Sequence, residues 1–570
     1  MSLLRRLPLP DWILHYDRRW LRGDVVAGLT VGVMLIPQGM AYAMLAGLPP
    51  IYGLYAATLP LLVYALMGSS RQLAVGPVAM DSLLTATGVG ALAAVGTENY
   101  LYLAILLALL VGIIQFSAGV LRLGFLVDLL SRPIISGFTS AAALIIGLSQ
   151  LQHLLGVNLG RSSFVHDILI SAVQHLNEVN LPTLGIGVAG IALLLLVKRY
   201  APVVPGPLVV VVVAALAVFF GGLADSGVKI VGEVPAGLPA FGIPGIAWGD
   251  VQALLPTALT IALIGFMEGI AVAKAVNARH RHYTVEPNRE LLAIGASNIG
   301  SSLVSGFPVA GGFSRTAVND QAGAQTGLAS IISAALIVLT LLFLTPWFYY
   351  LPQAVLASII MVAVFKLIDW REALRLWRVD RSDFWMLTAT FIATLALGIQ
   401  NGIAAGVVLS IGVHVYRSMR PHLAVLGQIG ETHTFRNINR FTEARELPGI
   451  LVVRFDAPLY FANLSYFQSQ LERLLAERSG EVSVVVINAE GISGIDSSAL
   501  YALRQFVETQ KENGLTIRFA GLIGPARDAL KKGGLYEIIG RENFYLDVAD
   551  AVAAGAGEGQ LQLALQTNVT

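Results

Sequence analysis

NIGSSLVSGFPVAGGFSRTAVNDQAG, residues 298 to 323, is apolar and rich in glycine and serine, and it carries no charge until Arg315. An arginine at bilayer depth costs about 2.5 to 3.5 kcal/mol on insertion scales, so it needs a partner or a wet cavity and marks a functional position by default. Gly311 and Gly312 let backbone N–H groups approach a ligand closely, and the helix that starts beside them presents the positive end of its dipole. An anion suits all three features. The alternative is that Arg315 pairs with a buried carboxylate such as Glu268 or Asp81.

The rest of the chain supplies the lipid that this reading needs. Of 570 residues, 55% are hydrophobic and 13% charged, against roughly 25% charged in soluble domains. The mean hydropathy is +0.71. A net charge of +1 gives no basic face for a nucleic-acid partner. The chain has no cysteine, which removes disulfides, thiolate metal sites and cysteine nucleophiles together. The opening MSLLRRLPLPDWILHYDRRW mixes prolines and charges and does not read as a cleaved signal peptide.

Charges thin out after Asp24 and return in density after Arg417. Between them we count about fourteen apolar stretches, taking about 20 residues for a spanning helix and fewer for one broken inside protein. They run approximately over 24–45, 52–67, 73–88, 100–121, 131–156, 182–199, 207–222, 251–273, 290–305, 312–325, 327–345, 354–368, 382–398 and 400–417. The positive-inside rule agrees with this count. With the N-terminus in the cytoplasm, the inner loops collect Arg5, Arg6, Arg71, Arg122, Arg132, Lys198, Lys274, Arg289, Arg371 and Arg375, whereas the outer loops keep little beyond Arg161 and Lys229.

Two of the stretches, the third and the tenth, are short, and each opens on an interruption: AVGPVAMDS at 74–82 and VAGGFSRTA at 309–317. They hold the same rank in two halves of seven. Such pairs point to the binding site of an inverted-repeat transporter, where half-helix N-termini meet near the midplane. After about residue 448 the pattern changes to short apolar strands alternating with amphipathic helices, as in ILVVRFD, FANLSYFQSQLERLLAE and SVVVINA, the mark of a small α/β domain. The domain plan is therefore a cytoplasmic segment 1–23, a membrane domain 24–420, a linker 421–447, an α/β domain 448–555 and a mobile tail 556–570.

Other polar groups in the apolar stretches are candidates beside Arg315. Glu268, in LIGFMEGIAVA, is as costly in lipid as the arginine, and desolvation drives a lone carboxylate toward its protonated form. It either couples proton movement to anion movement or serves as a fixed counter-ion to Arg315. Asp81, one turn into the third stretch, is a second such carboxylate. Gln38 and Tyr42 flank an expected break at Pro37 and Gly39 and are able to donate to an oxyanion. Gln115, Gln150, Gln152 and His153 read as interhelical hydrogen-bonding groups. His280 and His282 lie in a basic loop without metal-ligand spacing and read as solvated.

The phrases IPQGMAYAMLAGLPPIYGLY, SSRQLAVGPVA, GFMEGIAVAKAV and the opening stretch itself resemble the SulP family of anion transporters, above all its sulfate permeases. The C-terminal region resembles a STAS domain, with GIDSSALYAL at its loop-to-helix junction. The resemblance implies a polytopic α-helical membrane protein of about 14 segments, a 7+7 inverted repeat with core and gate domains, followed by a small cytoplasmic α/β STAS domain. It places the anion between the N-termini of the third and tenth segments, at Val78, Ala79 and Phe313, in contact with Gln38, Tyr42, Ser314 and Arg315. Glu268 matches the carboxylate that couples protons in plant-type symporters. Asp81 departs from the apolar or small residue expected there, and Ile264 stands where bicarbonate carriers have a second acid. Ser498 matches a serine that is phosphorylated in related STAS domains; otherwise Ser497 and Ser498 cap a helix.

The resulting expectation is secondary active transport of a small inorganic anion, sulfate with protons, by alternating access in a homodimer of a bacterial inner membrane, with the N-terminus and STAS domain cytoplasmic. The alternatives are sodium-coupled bicarbonate transport, dicarboxylate transport, and a passive channel or exchanger. No ATP-hydrolysing motif occurs in the chain, and neither an enzyme nor a cofactor is expected.

Overall fold

A computed structural model describes residues 11–125, 131–159, 164–201, 204–280, 283–478 and 480–554. Arg5, Arg6, Arg161, His282 and the tail 556–570 lie outside them. The chain divides into two compact units, Met1–Ser410 and Ile411–Thr570.

Each apolar stretch read from the sequence coincides with a helix. In order these are α1 Leu21–Leu45, α2 Leu59–Met67, α3 Ala79–Gly90, α4 Glu98–Val120, α5 Arg132–Ser149, α6 Leu181–Tyr200 and α7 Gly206–Gly221. There follow α8 Trp248–His280, α9 Pro287–Leu303, α10 Phe313–Gln321, α11 Leu328–Leu339, α12 Gln353–Val364, α13 Arg381–Leu397 and α14 Ile399–Met419. Among the described residues, six helices are long and apolar enough to cross a bilayer by themselves. At the other extreme, α3 has 12 residues and α10 only 9.

In lipid the hydrophobic effect gives helices no reason to associate, so contact depends on small residues that let backbones meet. Gly112 of α4 and Gly295 of α9 show this: a Cβ on the first would stand 2.8 Å from the carbonyl oxygen of the second, and the converse distance is 2.9 Å. The α1 to α11 contact adds a hydrogen bond, Ser333 Oγ to the Gly28 carbonyl at 2.7 Å.

One expectation about α1 is corrected. The helix runs unbroken through Pro37, because a proline withholds only one N–H and a buried helix tolerates one unserved carbonyl when its neighbours compensate. Gly39 serves instead as a seat for the short helix Ile51–Tyr55, where a Cβ on Gly53 would lie 1.9 Å from the Gly39 carbonyl oxygen.

The sequence did not reveal that the two interruptions pair with each other. Strand β1, Val75–Gly76, runs antiparallel to β2, Ala310–Gly311, in the register Val75 to Gly311 and Gly76 to Ala310. Helices α3 and α10 therefore leave one short ribbon in opposite senses, each N-terminus beside it.

The second unit is a sheet with helices. Strands β3 Leu423–Ile429, β4 Phe435–Asn437, β5 Ala444–Arg445, β6 Ile450–Phe455, β7 Val484–Asn488, β8 Thr516–Ala520 and β9 Phe544–Tyr545 are joined in the order β4-β3-β6-β7-β8-β9, with β5 also on β3. From β6 to β9 the pairing is parallel, which requires crossovers such as α15 Leu464–Ala476 and α16 Ser497–Glu512. Residues 421–447, read as a linker, hold three of these strands, and β3 joins the sheet by antiparallel pairing with β6, from Leu423 opposite Phe455 to Leu426 opposite Val452. At the start of α16 the cap is Asp496, whose carboxylate accepts the Ala499 N–H at 2.7 Å, so Ser497 and Ser498 do not cap the helix and are exposed in its first turn.

Candidate functional site

The ribbon positions the site because α8 lies directly on it. A Cβ on Gly311 would fall 2.9 Å from the Gly269 Cα, so glycine at 311 permits this approach. The register of α8 then brings Glu268 beside the ribbon. Hydrogen bonds fix the ribbon from several sides. Thr316 Oγ1 accepts the Ala74 N–H at 3.0 Å, and Asn319 Nδ2 donates to the Gln72 carbonyl at 2.8 Å. The Asn298 amide pairs with both backbone groups of Val309, at 2.8 and 2.9 Å, as a neighbouring strand would. Gln115 joins Asn298 to the Ala262 carbonyl of α8. Upstream of β1, the fully buried Glu290 accepts from the Ser69 N–H and hydroxyl, the Ser70 N–H and the Tyr64 hydroxyl.

Inside this frame Arg315 is only 2% exposed. Its Nη1 donates to the Pro77 carbonyl at 2.6 Å, across the ribbon, while Nε and Nη2 have no partner. Gly76 and Gly312 keep the space beside the guanidinium open, since a Cβ on Gly312 would sit 2.7 Å from Nη2. Among the described residues Arg315 forms no ion pair with Glu268 or Asp81, although Glu268 and Tyr42 lie within electrostatic reach of it. Arg315 and Glu268 thus face each other across the site without a direct contact. Neither α3, with Val78 at its N-cap, nor α10, with Gly312 there, has a side-chain cap, so both first turns leave N–H groups open to a ligand.

A cleft of about 1430 Å³ reaches this region. Gln38, Met80, Glu268, Phe313 and Ser314 line it, and so do Arg132, Lys198, Arg371 and Arg375, all of them assigned to the cytoplasmic side. The Gln38 amide oxygen and one Glu268 carboxylate oxygen are buried without a partner, as are both oxygens of Asp81. Of eleven such orphaned side-chain atoms among the described residues, six belong to Gln38, Asp81, Glu268 and Arg315, so the unmet polarity of the molecule is concentrated here. A buried donor or acceptor left unmade costs about 1 to 3 kcal/mol, so the two free donors of Arg315 mark a place for an anion and the free acceptors beside them a place for protons or other donors.

The anion-site residues singled out from sequence are thus gathered in one place, with one distinction. Phe313 and Ser314 face the cleft, whereas Val78, Ala79 and Tyr42 are buried around it. Asn298 and Glu290 were missed, because a polar residue that positions backbone has no spacing signature. Gln115 bridges helices as expected, but Gln150 bonds to its neighbour Ser149, and Gln152 to His153. His280, read as solvated, is bonded to Asp320 near the end of α10.

Comparison with known proteins places the chain in a family. The model of the sulfate permease family matches residues 21–390, and that of the STAS domain matches 442–551. The chain is 39% identical over 578 residues to "Sulfate transporter 4.1, chloroplastic" of Arabidopsis thaliana, covering 96% of this chain and 84% of that protein. It is 39% identical over 540 residues to "Probable sulfate transporter MT1781" of Mycobacterium tuberculosis, covering 95% and 96%. Among solved structures it resembles murine Solute Carrier 26 family member A9, an anion transporter captured in the inward-facing state, with TM-score 0.89, 26% identity and coverage of 98% and 95%.

Proposed function

The chain belongs to the sulfate permease family, and from that membership we propose that it is a secondary transporter moving sulfate together with protons by alternating access. The observation that carries the anion is the pair of unpartnered guanidinium donors of Arg315 between two uncapped helix N-termini. A tetrahedral oxyanion has enough acceptor oxygens to satisfy both donors and the free N–H groups together. Gln38, Tyr42 and Ser314 complete its surroundings. Sulfate is favoured among small anions by the relatives, whose printed names describe sulfate transporters.

Glu268 is the proton-coupling group in this reading. It borders the cleft, has an unpartnered oxygen and stands within electrostatic reach of Arg315, so its protonation state alters the field at the anion. The present conformation is the inward-facing one, since the cleft is bordered by the arginine-rich side that the positive-inside rule assigns to the cytoplasm. The fourteen helices form a 7+7 inverted repeat whose core, built on the β1–β2 ribbon, moves against a gate. The protein works as a homodimer in a bacterial plasma membrane with its STAS domain cytoplasmic, and Ser498, exposed in the first turn of α16, is a regulatory phosphorylation site.

The test is uptake of labelled sulfate by the purified full-length chain in proteoliposomes. An outside-acid pH gradient is expected to drive accumulation above the external concentration, and a protonophore to abolish it. Uptake that only equilibrates, whatever the gradient, would rule out symport and leave a passive pathway.

A further inference from the structure

Asp81 is a second acid behind the ribbon that the anion site does not use. It lies on α3, is 1% exposed, and neither carboxylate oxygen receives a hydrogen bond. Its Oδ2 is 3.3 Å from where a Cβ on Gly265 would stand. Gly265 precedes Glu268 by three residues on α8, so the two positions share a helix face and the carboxyls are neighbours. Glu268 also has a buried oxygen without a partner.

Among the described residues no other group forms an ion pair with these two acids. From α1 come Tyr42 and the neutral Gln38; from α4 comes Gln115, whose amide is already engaged with Ala262 and Asn298, and Tyr100, whose hydroxyl donates to the Ala46 carbonyl. The charges Asp24, Glu98, Arg132, Asp250 and Lys274 lie toward the ends of their helices, and Asp24 is bonded to Gln325 and Thr326. Arg315 spends one bond on Pro77 and offers its remaining donors to the anion. Two bare carboxylates side by side in a dry interior would surrender their hydration for nothing and repel each other; with a proton on each, both costs vanish.

We propose that Asp81 and Glu268 form a paired-carboxyl proton site in which each acid takes one proton in the loaded carrier. Two protons then accompany each sulfate, and since the dianion carries two negative charges the loaded step moves no net charge. Both acids are loaded in the outward-open state, and both protons leave to the cytoplasm through the cleft that Glu268 borders once the core has moved. This rests on the sulfate–proton reading above.

The experiment measures the steady-state sulfate accumulation ratio in proteoliposomes as a function of imposed pH difference, with the membrane potential clamped by potassium and valinomycin. Two protons per sulfate predict about a 100-fold change in the ratio per pH unit and no response to potential. In Asp81→Asn the slope is expected to fall to about 10-fold per pH unit, and accumulation to become sensitive to potential. Sulfate counterflow without any gradient verifies that the variant folds and binds. A wild-type slope of 10-fold overturns the pair, as does a 100-fold slope retained in Asp81→Asn or a slope that follows sodium instead of pH. A wild-type ratio indifferent to pH would instead defeat the symport reading itself.

Discussion

Replacing Arg315 by alanine is expected to weaken sulfate affinity by about 100- to 1,000-fold while leaving the protein folded. Two donors of this guanidinium, Nε and Nη2, are buried with no partner in the protein, so the ligand alone is left to satisfy them. Hydrogen bonds to a charged group are worth about 1.5 to 3 kcal/mol each, and losing two of them, offset by water entering the vacated space, accounts for that range. Arg315→Lys makes the reading sharper. An ammonium keeps the charge but not the planar fork, so its affinity is expected to fall between those of wild type and alanine, and the ratio of sulfate to chloride affinity to drop, because bidentate recognition favours the oxyanion. The measurement is equilibrium binding of labelled sulfate to the purified variants, with chloride as competitor. Unchanged affinity in Arg315→Ala would remove the site.

Glu268→Gln is expected to separate exchange from accumulation. Glutamine preserves shape and hydrogen-bonding capacity but neither accepts nor releases a proton, so the carrier still binds sulfate and exchanges it one for one. Under an imposed pH difference, however, accumulation should fall about tenfold for every pH unit, the contribution of a single proton. The sign follows from chemistry: acid outside loads the glutamate, the loaded form returns inward with the anion, and the neutral cytoplasm unloads it. The amide has no such difference between its two faces. Counterflow and gradient-driven uptake in the same vesicles check this, and equal loss of both activities would make Glu268 a structural counter-ion instead of a coupling group.

Much of this architecture was legible before any coordinates. Every apolar stretch found its helix because lipid imposes a length and a composition that few other environments require, and the isolated charges of Arg315, Glu268 and Asp81 stood out for the same reason. What stayed hidden depends on contacts distant along the chain. The antiparallel pairing of Val75 with Gly311 joins residues with no shared pattern, and the two-residue strands are too short for alternation to register. Pro37 suggested a break by its local chemistry, but α1 runs continuously from Leu21 to Leu45 through it. Residues 421–447 looked like a tether because β4 and β5 are only three and two residues long, and β3 becomes part of the sheet only through its pairing with the distant β6. Asn298 supports the site by imitating a strand, which only the position of Val309 reveals.

The central claim, that the anion sits at the N-terminus of α10 at the end of a cleft open to the cytoplasm, is accessible to one measurement. The chain has no cysteine, so Ala317→Cys, one turn from Ser314 on the cleft wall, introduces a single thiol. A membrane-impermeant maleimide should label it in inside-out vesicles and not in intact cells, and sulfate at concentrations that saturate transport should slow that labelling several-fold. Labelling from the outer face alone, or a rate indifferent to sulfate, would contradict the account.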